Sequence, residues 1–565
     1  MIIYNRSRYK NIFLLALLLA VFVITIISQI GTSYSLENSD KGINQKVIIV
    51  SMPRVTWEML DQLETPNIDR VINTGSAGSL SILTPGNART LENGYISISA
   101  GNRAAAATSN KSTFYMIDER IKYHDAKDIF RDQRGNYAKD ASALSLGYEQ
   151  TLKLNNEELY KPDIGALASV LEKNSKSISV IGNADYCSKK SAGAIGYLGS
   201  NRNGEIKFAD VSRDILNPDL SLNMKIVKSK AVKSIEQHDV TAVECSDLEK
   251  IDLNHSSYKK TVLESKINSA ISDCDNLIGS VLDNIDLGKD RIFIISPVSP
   301  AAKEQLTIFV AAGKNIQPGY AISGITRREG IVSLADIAPS ILDFYNIDTP
   351  ETMEATLLDW VKSSDSVQEK KHSLIQMNKK AALRDDSFVV IAASFILIVF
   401  LTVILSIFAY RSYLKLRNIS KILALLSLSM PSATFILSPF MLSLGTPIKI
   451  YIAFFSISLL ITAISYIAMK KFSVALIILT LSAGTLLIQL VDILTGGNLQ
   501  LNSLFGYSAV IAGRFAGFGN LAFSIVAISC VVLVAMTKQL GLKRPKLNST
   551  WVNIALIAIL VLTIA

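Results

Sequence analysis

Acidic side chains almost vanish from the last third of this 565-residue chain. From residue 387 onward there is no glutamate, and Asp492 is the single aspartate against twelve Lys/Arg. That imbalance explains the formal net charge of +9, because residues 387–565 sum to +11, Arg6, Arg8 and Lys10 add +3, and residues 11–386 are left at −5. The surplus lies in short loops beside apolar runs, which is the positive-inside pattern of a membrane protein. No basic face with interleaved aromatics occurs in the central region, so nucleic acid is excluded as a partner. Histidine is scarce, with four residues at 124, 238, 255 and 372. Cysteine is equally scarce. Cys530 lies in an apolar span, and Cys187, Cys245 and Cys274 cannot build a disulfide framework. One bridge is the most they allow; Cys187 with Cys245 is the preferred pair because both follow predicted strands, and buried unpaired thiols are the alternative.

What is abundant is apolar. Hydrophobic residues make up 49% of the chain and the mean hydropathy is +0.32, with the excess gathered at 12–30 and beyond 386. Residues 12–30 follow a basic start and approach the ~20 residues a membrane span needs; without a small-x-small cleavage site before Tyr34 they read as an uncleaved anchor. Further spans are expected at 387–409, 422–444, 450–469, 472–494 and 517–536. Arg411, Lys415, Arg417 and Lys421 follow the first of these, Lys470 and Lys471 separate the third and fourth, and Lys538, Lys543, Arg544 and Lys546 follow the fifth. With the N-terminus cytoplasmic, all three clusters fall on the cytoplasmic side and residues 31–386 fall outside. The last run, 550–565, is short of a straight span and reads as a helix cut by a C-terminal truncation. Asp492 and Arg514 are expected at the membrane interface, beside a glycine-rich outer loop, and Pro431 and Pro439 are expected to kink their span. The expected domains are an anchor (1–31), a globular domain (40–360), a polar linker (361–386) and a multi-pass membrane region (387–565).

In the central region strand-like runs (47–50, 177–181, 240–244, 292–295, 306–311) alternate with helical patterns (164–173, 262–282, 334–345). That alternation predicts an α/β domain with a mostly parallel sheet covered by helices on both faces. Ligands of such sheets sit beyond the carboxyl ends of the strands.

Four segments then resemble the alkaline phosphatase superfamily in the expected order. VIIVSMPRVTWEMLDQLETPNIDRVINTGSAGSL (47–80) is similar to its first strand and following helix, ARTLENGYISISAGNRA (89–105) to its nucleophile segment, KINSAISDCDNLIGSVLDNI (266–285) to the helix before the last core strand, and SLADIAPSILDFYNI (333–347) to its closing helix. The resemblance reaches LQLNSLFGYS (499–508) and GRFAGFGN (513–520) of the membrane half in a group of actinobacterial membrane proteins. It implies an alkaline-phosphatase-like fold plus an α-helical transmembrane bundle, and it places Thr90 at the nucleophile position. Active members are implied to use two divalent metal ions (zinc, manganese or magnesium) to neutralise phosphate and activate that hydroxyl.

The metal positions depart from that pattern. Pro53 stands where the first-strand Asp is expected, and Ser296, Pro297, Val298 and Ser299 replace an Asp-His-Gly turn. Glu244, Asp247, Asp252 and His255 lack the Asp-x-x-Gly-His spacing, since Ile251 and Asn254 occupy the Asp and Gly places; they remain a candidate single-metal set. Too few anionic oxygens and imidazoles are left for two ions, so no cofactor is expected. Thr90 then reads either as a residual nucleophile or as a helix N-cap supported by Glu92 or Asn93. Arg54, Arg327 and Arg328 read either as solvated or salt-bridged residues or as guanidinium groups that hold an anion in place of metals. The expectation is a multi-pass cell-membrane protein whose extracytoplasmic domain is a non-catalytic or altered cell-envelope module, a pseudoenzyme that contacts the bilayer and an anionic envelope ligand such as a phosphate or sulfate ester or lipid headgroup. The alternatives are an active envelope phosphoesterase, sulfatase or phosphoglycerol-type transferase, and a membrane transporter or assembly factor.

Overall fold

The computed structural model describes residues 45–86, 89–107, 113–185, 193–410, 414–510 and 517–543. The apolar run 12–30, Cys187, Arg514 and the closing run 550–565 lie outside them.

Ten strands form one sheet in the order Leu358–Lys362, Gly319–Ser323, Ile331–Ser333, Ser76–Ser81, Thr307–Gly313, Arg291–Ile295, Val47–Ser51, Val240–Glu244, Ile178–Ile181 and Phe208–Asp210. Thr307–Gly313 and Leu358–Lys362 run antiparallel to their neighbours, and the other neighbouring strands pair in parallel. The β-branched run at 47–50 is apolar at every position because a central parallel strand is buried on both faces. Val47 and Ile49 face one core and Ile48 and Val50 the other, and Phe293 and Ile295 alternate with Ile292 and Ile294 in the same way. The first core packs helices Leu91–Ala100, Ala166–Lys173 and Ile337–Phe344; the second packs Pro66–Thr74, Met224–Gln237 and Lys260–Leu282. The architecture is therefore the expected α/β one, with a mixed sheet and helices on both faces.

Two sequence-based expectations change. Residues 361–386 are not a linker. The edge strand runs to Lys362, and Val367–Tyr410 is one helix of 44 residues, roughly 65 Å long. Its first half packs on the domain through buried lysines whose heads find oxygens. Lys370 Nζ donates to Ile72 O (3.1 Å), and Lys371 Nζ pairs with Asp69 at 2.7 Å. Asn378 accepts from Leu306 N (3.1 Å) and donates to Glu58 (3.0 Å). The second change is the disulfide. Cys245 pairs with Cys274, not with Cys187, because the end of Val240–Glu244 packs against helix Lys260–Leu282 and brings the two Cα atoms to 6.1 Å.

Five described helices are long and apolar enough to cross a membrane: Val367–Tyr410, Leu416–Leu444, Pro447–Ala468, Val474–Leu494 and Asn520–Leu540. They correspond to the five expected spans and mark a membrane protein. Pro431 lies inside the second and Pro439 in the 3-10 turn Ser438–Phe440 that interrupts it.

Candidate functional site

The site to test lies at the carboxyl ends of the central strands. The parallel register sets Ser51 beside both Glu244 and Ile295, and the chain then turns back, with Met52 N on Ile295 O (2.7 Å) and Arg54 N on Val298 O (3.1 Å). Arg54 adopts φ +69°, a left-handed conformation that a long side chain rarely takes and that persists only where its surroundings fix it. Its side chain supplies that fixation. Nε donates to Glu249 Oε2 (2.7 Å), Nη2 to Glu249 Oε1 (2.8 Å) and Nη1 to Ser299 O (2.7 Å). Asp252 lies 3.5 Å from Nε. Arg54 and Glu249 are 7% and 3% exposed, so this is a buried, forked ion pair.

Beside it, Tyr95 Oη lies 2.6 Å from both Glu244 Oε2 and Ser51 Oγ, and Ser246 Oγ donates to Glu244 Oε1. Burial pushes the Glu244 carboxyl up to about 7, against the pull of its Ser246 and Tyr95 hydrogen bonds. Burial also raises the Tyr95 phenol, reinforced by Glu244. Glu92, close to Arg54 and Glu249, is raised by burial first. Helix Leu91–Ala100 sits hard on the 296–299 turn, and a Cβ at Gly94 would lie 2.4 Å from Pro297 O. The space beyond the strand ends is thus occupied by protein groups that satisfy one another.

Thr90 caps helix Leu91–Ala100, its side chain accepting from Asn93 N at 3.2 Å. Thr90→Ala should cost about 1 kcal/mol of stability through the lost cap, and Thr90→Ser should retain most of it. A thermal unfolding series on the two variants checks this.

The other candidates separate. Asp247 accepts from Leu222 N (2.9 Å) and pairs with Lys250. Asp252 accepts from Ala301 N (2.7 Å), and His255 Nδ1 lies 2.7 Å from Asp252 O, a backbone oxygen. Among the described residues no three His, Cys, Asp or Glu side chains are gathered to hold a metal ion. The candidate set Glu244, Asp247, Asp252 and His255 therefore does not fit a divalent cation, since its carboxylates point to separate partners and a guanidinium holds the nearest ones.

Arg54, Arg327 and Arg328 likewise do not converge on an anion beside Thr90. Each nitrogen of the Arg54 guanidinium already donates within the protein. Arg327 is exposed and donates to Gly324 O (3.3 Å). Arg328 reaches the membrane half, donating to Gly496 O (2.5 Å), Gly497 O (2.8 Å) and Tyr507 Oη (2.8 Å). Asp492, at the end of helix Val474–Leu494, is 3% exposed and accepts from Leu499 N (2.7 Å) and Gln500 N (3.0 Å), holding the loop that Arg328 grips.

Sequence reasoning missed Glu249 and Tyr95. Glu249 and Asp252 stand three apart in helix Ser246–Leu253, on one face, and an arginine three residues past the first strand is the cation that face answers. Tyr95 gave no signal of its own, being one of several apolar-looking positions in its helix.

No protein-family model and no curated protein sequence matches the chain. Among solved structures, it is similar to a protein in the alkaline phosphatase superfamily from Vibrio parahaemolyticus (12% identity, 55% of this chain and 69% of that one, TM-score 0.34). It is also similar to murine ectonucleotide pyrophosphatase/phosphodiesterase 5 (9%, 54% and 96%, TM-score 0.33) and to a lipoteichoic acid synthase from Listeria monocytogenes (11%, 55% and 76%, TM-score 0.33).

Proposed function

We propose that the sheet domain is a non-catalytic, alkaline-phosphatase-like module carried on the outer face of a bacterial cell membrane, acting in the envelope by binding rather than by hydrolysis. The observation that carries this reading is the buried fork between Arg54 and Glu249. A fixed guanidinium occupies the end of the first strand, and the carboxylates that face it are neutralised. A divalent ion there would meet like charge and would have to displace a hydrogen-bonded pair. Without such ions the Thr90 hydroxyl is left to its capping role, accepting from Asn93 N and bonding to the Glu92 carboxyl. The Cys245–Cys274 bridge supports an oxidising, extracytoplasmic setting, in line with the basic loops on the opposite side of the bundle. Partners on this reading are the bilayer and an envelope ligand; an anionic one would use groups other than Arg54 and Arg328, whose donors are engaged.

Purified full-length chain assayed with p-nitrophenyl phosphate, bis-p-nitrophenyl phosphate and p-nitrophenyl sulfate, in zinc, manganese or magnesium, should release no p-nitrophenol above the level of its Thr90→Ala variant. Metal-dependent turnover that Thr90→Ala abolishes would establish an active envelope phosphoesterase, sulfatase or transferase instead.

A further inference from the structure

Helix Ser246–Leu253 has two polar faces. Glu249 and Asp252 turn toward Arg54, whereas Asp247, Lys250 and Ile251 line a cleft of about 350 Å³ on the opposite side. The loop 217–222 forms its second wall and helix Lys260–Leu282 its third, with Tyr258 at the connection between the two helices. The Cys245–Cys274 bridge ties the start of the first helix to the middle of the other, so both helical walls are fixed. Leu222 and Ala270 are buried and give the cleft an apolar base. Its volume is that of a site for a small ligand, and it lies outside the strand-end site around Thr90.

Three carboxylates and two ammonium groups line this space: Asp219, Asp247, Asp273, Lys250 and Lys266. Most are engaged. Lys250 is 5% exposed, donates to Leu220 O (2.6 Å) and pairs with Asp247 at 3.2 Å. Asp247 also accepts from Leu222 N (2.9 Å). Lys266 lies 5.5 Å from the centre of the Tyr258 ring, and Asp219 accepts from Ser221 Oγ (2.6 Å) within its own loop. Asp273 differs, having no hydrogen bond or ion pair among the described residues. Burial first, and then Asp247, raise its carboxyl above the ordinary value although Lys228 pulls it down. The cleft therefore holds one more carboxylate than ammonium, and one carboxylate is short of a counter-charge. A metal ion does not answer it, because among the described residues no three such ligands are gathered. An organic cation does, since it places charge at the carboxylates and lays its body along Leu222 and Ala270. We propose that this cleft binds a small organic ligand through a primary ammonium group seated between Asp273 and Asp247, with Asp219 accepting from the ligand's other donors. An amino sugar and a short aliphatic diamine share that chemistry.

Isothermal titration of the full chain in phosphatidylcholine nanodiscs tests this at low salt with three probes: glucosamine, N-acetylglucosamine and cadaverine. Glucosamine should bind, and N-acetylglucosamine, the same ring without the charge, should bind at least roughly tenfold more weakly. Cadaverine binding as well as glucosamine assigns simple amine recognition, and glucosamine binding without cadaverine assigns an amino sugar. Asp273→Asn should weaken amine binding roughly five- to tenfold, the loss of one charge-assisted hydrogen bond. Its unfolding midpoint without ligand should stay at or above that of wild type, because no protein group loses a partner. Lys266→Gln should tighten amine binding, since it removes a like charge and uncovers the Tyr258 ring. Failure of both amines to bind, N-acetylglucosamine binding as tightly as glucosamine, or wild-type affinity in Asp273→Asn would each overturn the proposal. So would a lowered midpoint in unliganded Asp273→Asn, which would show that a protein group already answers this carboxylate.

Discussion

Replacing Arg54 by methionine is expected to destabilise the sheet domain by about 3–5 kcal/mol, the cost of leaving a buried charge without its partner. Methionine keeps much of the side chain's length and packing but leaves Glu249, 3% exposed, without its guanidinium. The loss should exceed that of any surface ion pair in the chain, since exposed pairs such as Arg131–Asp128 contribute at most about 1 kcal/mol. A double variant, Arg54→Met with Glu249→Leu, should recover most of the loss, because removing both charges removes the desolvation cost as well. Amide hydrogen exchange of strands 47–51 and 291–295 in the full chain reads the effect where it arises. A single variant as stable as wild type would show that the ion pair does not hold the strand ends together.

Raising the pH from about 4 to 8 should weaken the domain, contrary to the usual behaviour of carboxylates. Glu244 and Asp336 are both buried, and burial raises each to about 7 from the ordinary values of 4.5 and 3.8. Each therefore binds a proton more tightly in the folded chain than in the unfolded one. Their contribution is fully present below the unfolded-state values and is lost as pH rises through about 7. Shifts of this size correspond to roughly 3–4 kcal/mol per group. Glu244→Gln keeps an amide for Tyr95 and Ser246 to bond, and Asp336→Asn keeps an acceptor for Ser333 N, now 2.7 Å from Asp336 Oδ2. Both variants should flatten the fall in unfolding midpoint between pH 5 and 8. An unchanged slope in Glu244→Gln would mean that this carboxyl is ionised throughout.

The membrane spans were legible because runs of about twenty apolar residues admit few other readings. The central strands were legible because β-branched runs of four or five, bounded by polar residues, recur between helical patterns. The helix across 361–386 was hidden by its charge. Lys370, Lys371 and Arg384 suggested a solvated linker, yet the stretch has no glycine or proline, and its charged heads snorkel to carbonyls and to Asp69 while their stems pack. That Pro53 and residues 296–299 offer no carboxylate or imidazole was legible, because those positions follow directly on their strands. The partners at those strand ends were not legible. Arg54 and Glu249 are 195 positions apart, and nothing in local spacing tells whether a guanidinium meets a carboxylate, an anion or water. Arg328 shows the same limit, since its partners at 496–507 belong to the membrane half.

Metal analysis of the full chain, purified without chelator and dialysed against zinc, manganese and magnesium, tests the central claim most directly. The ion pair at the end of the first strand predicts metal well below one equivalent per chain and an unfolding midpoint unmoved by EDTA. One or two tightly held equivalents, released by Glu249→Gln or Thr90→Ala, would contradict it.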